Sequence, residues 1–287
     1  MDAPLRLGFS PCPNDCFVFH ALVHGAVAPD LAWEVTMDDV EALNTRAADG
    51  ALDVAKVSYH AYAYLAHRMV LLPAGGALGR GVGPLLVARD PQLDLAGATV
   101  ATPGGRTTAN LLFDLFAGAE ARRTVLRYDR ILPAVARGEV DAGLIIHESR
   151  FTFREHGLHA VRDLGTWWEE RTGMPIPLGG IAVRRDLPTP LRRRIARAVR
   201  ASVEAAWTDP AASEAYQARH AQEMSEEVRR RHVATYVNEF TREVGAEGRA
   251  AVRRLYLEAE GQGLFPAPTG ALFEGDPQPQ PQPAAAR

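Results

Sequence analysis

Lysine is nearly missing from this chain: among 32 basic residues only Lys56 is a lysine, and arginine stands everywhere else. A compact ammonium kept at a single position is a candidate for function, because an arginine fork does not replace it. Cysteine is scarce as well. Cys12 and Cys16 can build neither a disulfide framework nor a four-ligand zinc site, and their C-x-x-x-C spacing is not that of a redox pair. A reducing compartment fits. No segment approaches the roughly 20 apolar residues of a membrane span, and Met1-Asp2-Ala3-Pro4 opens without a cationic or long apolar leader region. A cytoplasmic protein without a membrane partner is expected. There is no excess of positive charge either: 32 basic against 35 acidic residues give a net charge of −3. Such a chain presents no global field for a nucleic-acid backbone or an anionic bilayer.

What remains is ordinary globular material, 287 residues of which 47% are hydrophobic and 23% charged, enough for one large domain or two smaller ones. The order of elements repeats. Leu5 to Ser10 reads as a strand, Ser10-Pro11-Cys12-Pro13-Asn14-Asp15 as a loop, and Phe17, Val18, Phe19, Leu22 and Val23 as a helix face. Ala98 to Thr102, then Pro103-Gly104-Gly105-Arg106-Thr107-Thr108, then Leu111, Leu112, Leu115 and Phe116 follow the same plan. Further on, Gly50-Ala51-Leu52-Asp53 through Ser58 reads against Gly138-Glu139-Val140-Asp141 through Ile146. A third pair, the apolar strands led by Gly83 and Gly179, brackets the second copy. The simplest topology is a discontinuous first domain, residues 1–88 and 181–275 with C-terminal helices, holding an inserted second domain, residues 89–180. Helices are expected over Leu191 to Trp207, Ser225 to Val244 and Glu247 to Gly261, and the Pro-Gln run within 276–287 is expected to be disordered. Gly75 to Gly81 reads as a loop.

In open α/β sheets ligands bind at the carboxyl ends of strands, and here four loops meet that description: Ser10 to Asp15, Ser58 to His60, Pro103 to Thr108 and His147 to Arg150. Two of them open a helix, where unpaired N–H groups and the helix dipole favour an anion. A small carboxylate or phosphate is the expected ligand. Ser10, Asn14 and Thr107 are also ordinary capping residues, but Gly104-Gly105 permits close backbone approach. Lys56 and Ser58 share one face of their strand by alternation. His147 ends the matching strand, opposite Tyr59 in register, and an imidazole there suits a general base at neutral pH. The other histidines carry less: His20 and His24 lack a completing carboxylate, His156 and His159 lack partners, and His60, His67, His220 and His232 read as helix-surface or packing residues. No metal is assigned. Neither a phosphate-cradling nor a dinucleotide glycine motif is in place, and Trp167-Trp168 reads as core packing.

Together, Gly8-Phe9-Ser10-Pro11-Cys12-Pro13-Asn14-Asp15, the strand from Asp53 to Ser58, Thr102-Pro103-Gly104 with Thr107-Thr108-Ala109, and Gly143 to Glu148 resemble the 1,4-dihydroxy-6-naphthoate synthase family of the futalosine route to menaquinone. The resemblance spans roughly residues 5–265. It implies a two-lobed α/β fold like that of type II periplasmic binding proteins, two α/β domains joined by two hinge strands. It also implies a cofactor-free lyase that converts cyclic dehypoxanthinylfutalosine to 1,4-dihydroxy-6-naphthoate and releases dihydroxyacetone. His147 matches the family's proton acceptor. Lys56, Val57, Ser58, Thr108 and Ala109 match its substrate-contacting segments, and Ser10, Asn14 and Thr107 join them from the loop reading. The rival readings are a non-catalytic carboxylate-binding protein and the sister chorismate dehydratase on the same fold. The oligomeric state is left open.

Overall fold

A β-α-β-α-β run begins the chain: β1 (Leu5–Phe9), α1 (Pro13–Val23), β2 (Trp33–Met37), α2 (Val40–Ala48) and β3 (Val54–Ser58). The structure is a computed structural model that describes residues 3–118, 121–221 and 225–277. After α3 (Tyr59–Leu65), β4 (Met69–Leu71) and β5 (Ala77–Gly79), the plan recurs as β6 (Leu85–Ala88), β7 (Thr99–Thr102), α4 (Thr108–Ala117), β8 (Arg122–Val125), α5 (Tyr128–Arg137) and β9 (Ala142–Ile145). Then come α6 (Ser149–Thr152), β10 (His159–Asp163), α7 (Leu164–Thr172) and β11 (Ile176–Arg184). The chain finishes with α8 (Thr189–Thr208), α9 (Glu214–His220), α10 (Glu226–Tyr236), α11 (Glu239–Arg242) and α12 (Gly245–Gly261).

The strands form two sheets of one topology. In the first, ordered β2-β1-β3-β11-β4 with β5 also on β11, the first three strands are parallel and β11 runs against them. In the second, ordered β10-β6-β9-β7-β8, strands β8, β7 and β9 are parallel and β6 is the antiparallel neighbour. The glycine-aliphatic-Asp signature has the same job in both. Asp53 accepts the Arg6 N–H at 2.9 Å and Asp141 accepts the Thr99 N–H at 2.7 Å, so each carboxylate ties the start of its strand to the neighbouring one. The glycines are C-terminal stops: Gly50 and Gly138, after α2 and α5, have φ of 74° and 76°, the left-handed backbone that ends a helix.

Pairing also corrects the expected boundaries. Leu85–Ala88, placed at the end of the first domain, pairs with β9 and β10 in the second sheet. Ile176–Arg184, which a boundary at 181 would divide, lies whole in the first sheet, between β3 and β4. The two antiparallel strands match one residue away from the sequence alignment. Gly180 faces Val57, and Leu85 faces Ile145, so Leu85 corresponds to Gly180 rather than Ile181. A one-residue slip would turn every side chain to the other face, and burial on both faces fixes the register.

Three other expectations change. The glycine loop contains β5, paired with Ile176–Gly179. The expected helix from Ser225 to Val244 breaks after Tyr236, because the Asn238 side chain accepts the Phe240 N–H at 2.9 Å and the Thr241 hydroxyl accepts the Asn238 N–H at 3.2 Å, a capping arrangement that starts α11. Asp276, assigned to the disordered tail, is anchored by Arg249 and by the Phe273 N–H at 3.2 Å, while 278–287 lie outside the described residues.

Each sheet is packed on both faces. Val54, Ile181 and Val183 meet α1 and α8 through Phe17, Val18, Ile195 and Val199. Leu85, Val87 and Ile145 meet Ile131 and Val135 of α5. A third cluster, from Leu43, Ala55 and Val57 to Leu86, Leu144 and Trp168, joins residues of both sheets with α12. Trp168 is fully buried and donates to Pro175 O at 3.2 Å, and Trp167 packs edge-on to Phe116, so the tandem tryptophans belong to the core. Against this apolar background Lys56 is conspicuous, since the corresponding position in β9 is the fully buried Leu144.

Candidate active site

The carboxyl ends of β1, β3, β7 and β9 surround one cavity, with ≈ 720 Å³ of empty space including its mouth. All nine residues singled out from the sequence, His147, Lys56, Val57, Ser58, Thr108, Ala109, Ser10, Asn14 and Thr107, stand in its wall. Apolar surface from Val40, Ala77, Val82, Ile146 and Leu178 fills the spaces between them. Such a chamber, mostly apolar with a few convergent polar groups, suits a small organic ligand.

Lys56 does not snorkel to water. Its Nζ lies 2.5 Å from Asp15 Oδ1, with the lysine side chain 9% and the aspartate side chain 2% exposed. Asp15 is held from three more directions, by the Ser10 N–H at 3.2 Å, the Ser10 hydroxyl at 2.7 Å and the Asn14 amide at 3.0 Å. Thus the first loop is more than a turn: Ser10 and Asn14 build a buried carboxylate whose counter-ion is the lysine. Gly179 makes room for this, because a Cβ there would lie 3.4 Å from Lys56 Cε and 2.9 Å from Val57 O.

Ser58 is fixed by Asn44, which accepts its N–H at 3.0 Å and donates to its hydroxyl at 3.3 Å. The two threonine hydroxyls serve the protein itself. Thr107 caps α4, accepting from the Asn110 N–H at 3.2 Å and donating to Gly104 O at 2.8 Å, and Thr108 donates to Leu178 O at 2.6 Å. Both hydroxyls are therefore occupied within the protein. What they leave for a ligand is backbone: the N–H groups of Thr108 and Ala109 stand in the unpaired first turn of α4, where an anion is favoured.

His147 has φ of 57°, a left-handed conformation uncommon outside glycine, which turns the chain just beyond β9. Its Nδ1 lies 3.3 Å from Cys12 Sγ, and the edge of Tyr128 packs on the ring at 5.2 Å. Burial pushes its pKa below the usual 6.5 despite the pull of nearby Glu148 and Asp15. The imidazole is neutral at physiological pH and available as a base. Burial, with Glu148 and Asp15 close by, pushes the Cys12 thiol well up, so it stays protonated.

Sequence reasoning missed two wall residues. His232, read as a helix-surface or packing residue, is 1% exposed and belongs to the cavity wall with Tyr236. Their spacing of four residues puts both on one face of α10, but nothing in that spacing shows that this face covers the site. Asp15 appears in the sequence only as the end of a ligand-facing loop, with nothing to mark it as the partner of Lys56. His60, by contrast, is a packing residue: its Nδ1 lies 3.1 Å from Thr107 O, its ring stacks on Phe265, and burial pushes its pKa down to about 4. Among the described residues no group of three or more His, Cys, Asp or Glu is arranged to hold a metal ion, and no helix is long and apolar enough to cross a membrane.

Two sheets of one topology, each with an antiparallel fourth strand, and a ligand-sized chamber at their carboxyl ends place the protein among the periplasmic-binding-protein-like folds. An alkanesulfonate-binding protein from Xanthomonas axonopodis pv. citri, bound to MOPS, shares the architecture with a TM-score of 0.70 at 16% identity, over 92% of this chain and 95% of that one. A protein from Archaeoglobus fulgidus aligns with a TM-score of 0.87 at 37% identity, over 91% of this chain and 98% of its own. The chain belongs to the menaquinone biosynthesis family, whose model matches residues 5–260. Two relatives named 1,4-dihydroxy-6-naphtoate synthase are similar along almost their whole length. That of Thermus thermophilus is 56% identical over 94% of this chain and 98% of its own, and that of Streptomyces coelicolor 50% identical over 92% and 95%.

Proposed function

We propose that this protein is a carbon-carbon lyase of menaquinone biosynthesis, converting cyclic dehypoxanthinylfutalosine to 1,4-dihydroxy-6-naphthoate with release of dihydroxyacetone. The observation that carries the reading is the coincidence of 50–56% identity to synthases of that name with one apolar chamber that has a neutral, half-buried histidine in its wall. The first lobe is taken as the residues before Leu85 together with those from Ile176 onward, and the second as Leu85 through α7. The site lies between them.

The chemistry asks little beyond placement and one base. The substrate's carboxylate lies against the Thr108 and Ala109 N–H groups with the Ser58 hydroxyl beside it, and the Lys56 ammonium, tethered by Asp15, reaches a carbonyl of the bicycle as a hydrogen-bond donor. His147 takes a proton from the substrate. The electron pair left behind forms a carbonyl as the carbon-carbon bond breaks, the pair of that bond leaves with the three-carbon fragment and takes up the proton from His147 to give dihydroxyacetone, and tautomerisation of the remaining bicycle to an aromatic naphthalene diol supplies the driving force. His147 on one lobe acts on a substrate held by Lys56 and Ser58 on the other, so closure of the lobes aligns base and substrate and excludes water. Hydrolysis of reactive intermediates is thereby avoided.

The test is incubation of the purified protein with cyclic dehypoxanthinylfutalosine, following the naphthoate by its absorbance. Product formation is expected without any addition. Tight binding with no product would overturn the lyase reading in favour of simple ligand capture.

A further inference from the structure

His232 has no part in the mechanism above, yet it is fully enclosed on α10 within the cavity wall. Its Nε2 lies 2.9 Å from Asn14 Oδ1. The orientation of that amide follows from its other contact, since Asn14 Nδ2 donates to the Asp15 carboxylate at 3.0 Å, and a flipped amide would set oxygen against oxygen. Asn14 therefore offers His232 an acceptor, and Nε2 must carry the proton. A neutral imidazole protonated at Nε2 has a bare lone pair at Nδ1. Burial, with His147 and Lys56 nearby, holds the ring neutral by pushing its pKa well below 6.5.

That Nδ1 is buried and has no partner in the protein. A buried acceptor left unsatisfied keeps its desolvation penalty, and groups of this kind are normally satisfied. The His232 ring also lies parallel to that of His147, with centroids 6.3 Å apart and planes 13° apart, so the two imidazoles are neighbours in the cavity wall. The missing partner must be a donor. In the substrate proposed above, on which this inference rests, the bicycle presents a carbonyl and a carboxylate, which accept, and the sugar-derived half presents hydroxyls, which donate.

We infer that His232 is a substrate-binding residue whose Nδ1 accepts a hydrogen bond from a hydroxyl of the sugar-derived half, fixing that half beside His147. The relay Lys56–Asp15–Asn14–His232 sets the tautomer, so a site with a fixed acceptor discriminates against substrate analogues lacking the hydroxyl.

Two variants separate this role from a structural one. In His232→Gln the side-chain amide can replace Nε2 and keep the Asn14 contact while losing the Nδ1 acceptor. In His232→Asn the amide oxygen can replace Nδ1 while the Asn14 contact is lost. Steady-state kinetics and calorimetric binding of cyclic dehypoxanthinylfutalosine are expected to show His232→Gln with KM and Kd raised at least tenfold, and His232→Asn within about threefold of wild type. The reverse order would make His232 only a support for Asn14, and two near-wild-type variants would mean that Nδ1 holds a structural water; either result overturns the inference. If the wild-type protein binds but does not turn over the substrate, the lyase reading fails while the Gln and Asn ranking in Kd still tests the inference. If wild type does not bind it at all, both fall.

Discussion

Replacing Lys56 by methionine removes the ammonium but keeps the stem, and the structure fixes what should follow. The pair is buried, with side chains 9% and 2% exposed. Breaking such a pair by removing one partner typically costs about 3–5 kcal/mol, because the remaining charge is left uncompensated. Asp15 keeps three donors, from Ser10 N, Ser10 Oγ and Asn14 Nδ2, so the lower end, about 3 kcal/mol, applies. At about 2–4 °C per kcal/mol for chains of this order of size, Lys56→Met should lower Tm by about 6–12 °C. Asp15→Asn strands the ammonium instead and should cost at least as much. The double variant removes both charges, and scanning calorimetry of the four proteins should show it losing less than the two single losses combined. If the losses add to within about 0.5 kcal/mol, or if Lys56→Met melts with wild type, the buried pair is not what holds the first loop in place and the reasoning fails.

Other expectations follow from the same geometry. His147→Asn should retain substrate binding while turnover falls by about 10²–10⁴-fold, the usual worth of a general base; retained turnover in rapid-mixing assays would remove His147 from the chemistry. Because burial lowers its pKa and the base must be unprotonated, kcat/KM should be flat at neutral pH and fall on the acid side, with its midpoint below 6.5. A limb centred above that value would contradict the assignment. Trp168→Ala should cost about 3–5 kcal/mol in chemical denaturation, with the Pro175 carbonyl left unpaired. Gly83→Ala would put a Cβ 2.2 Å from the Gly165 backbone, so it should destabilise by more than the about 1–3 kcal/mol of ordinary overpacking; a wild-type melt would show that this close approach is dispensable.

The repeat was legible because hydrogen bonding forces it into the sequence. A carboxylate at the head of β3 and of β9 and a glycine at each preceding helix stop leave the same letters at the same spacing. The lone lysine and the strand-end histidine were legible because rarity and position are visible in one dimension. The finer site was not. Asp15 and Ser10 look like any turn, and only the fold brings Lys56 to them across 41 positions. His232 is 218 positions from Asn14, and an inward histidine on a helix has the same periodicity whether it meets core or cavity. Thr108 stands in a ligand-facing loop in the sequence, but only the fold shows that its hydroxyl is taken by Leu178 O and leaves its backbone to the cavity. The break at Asn238 was missed because apolar spacing continues through Phe240 and Val244 while a capping pair interrupts the backbone.

The placement of β11 bears on how the protein is made. The second sheet is assembled from one uninterrupted stretch, Leu85 to Asp163, whereas the first has an interior strand delivered last, by Ile176–Arg184. During synthesis β3 and β4 leave the ribosome roughly a hundred residues before the strand that lies between them, about 5–20 s at about 5–20 residues per second. The later-made half of the sheet pair is thus free to fold first. Lys56, on the open edge of β3, meets its final surroundings only when β11 closes the gap.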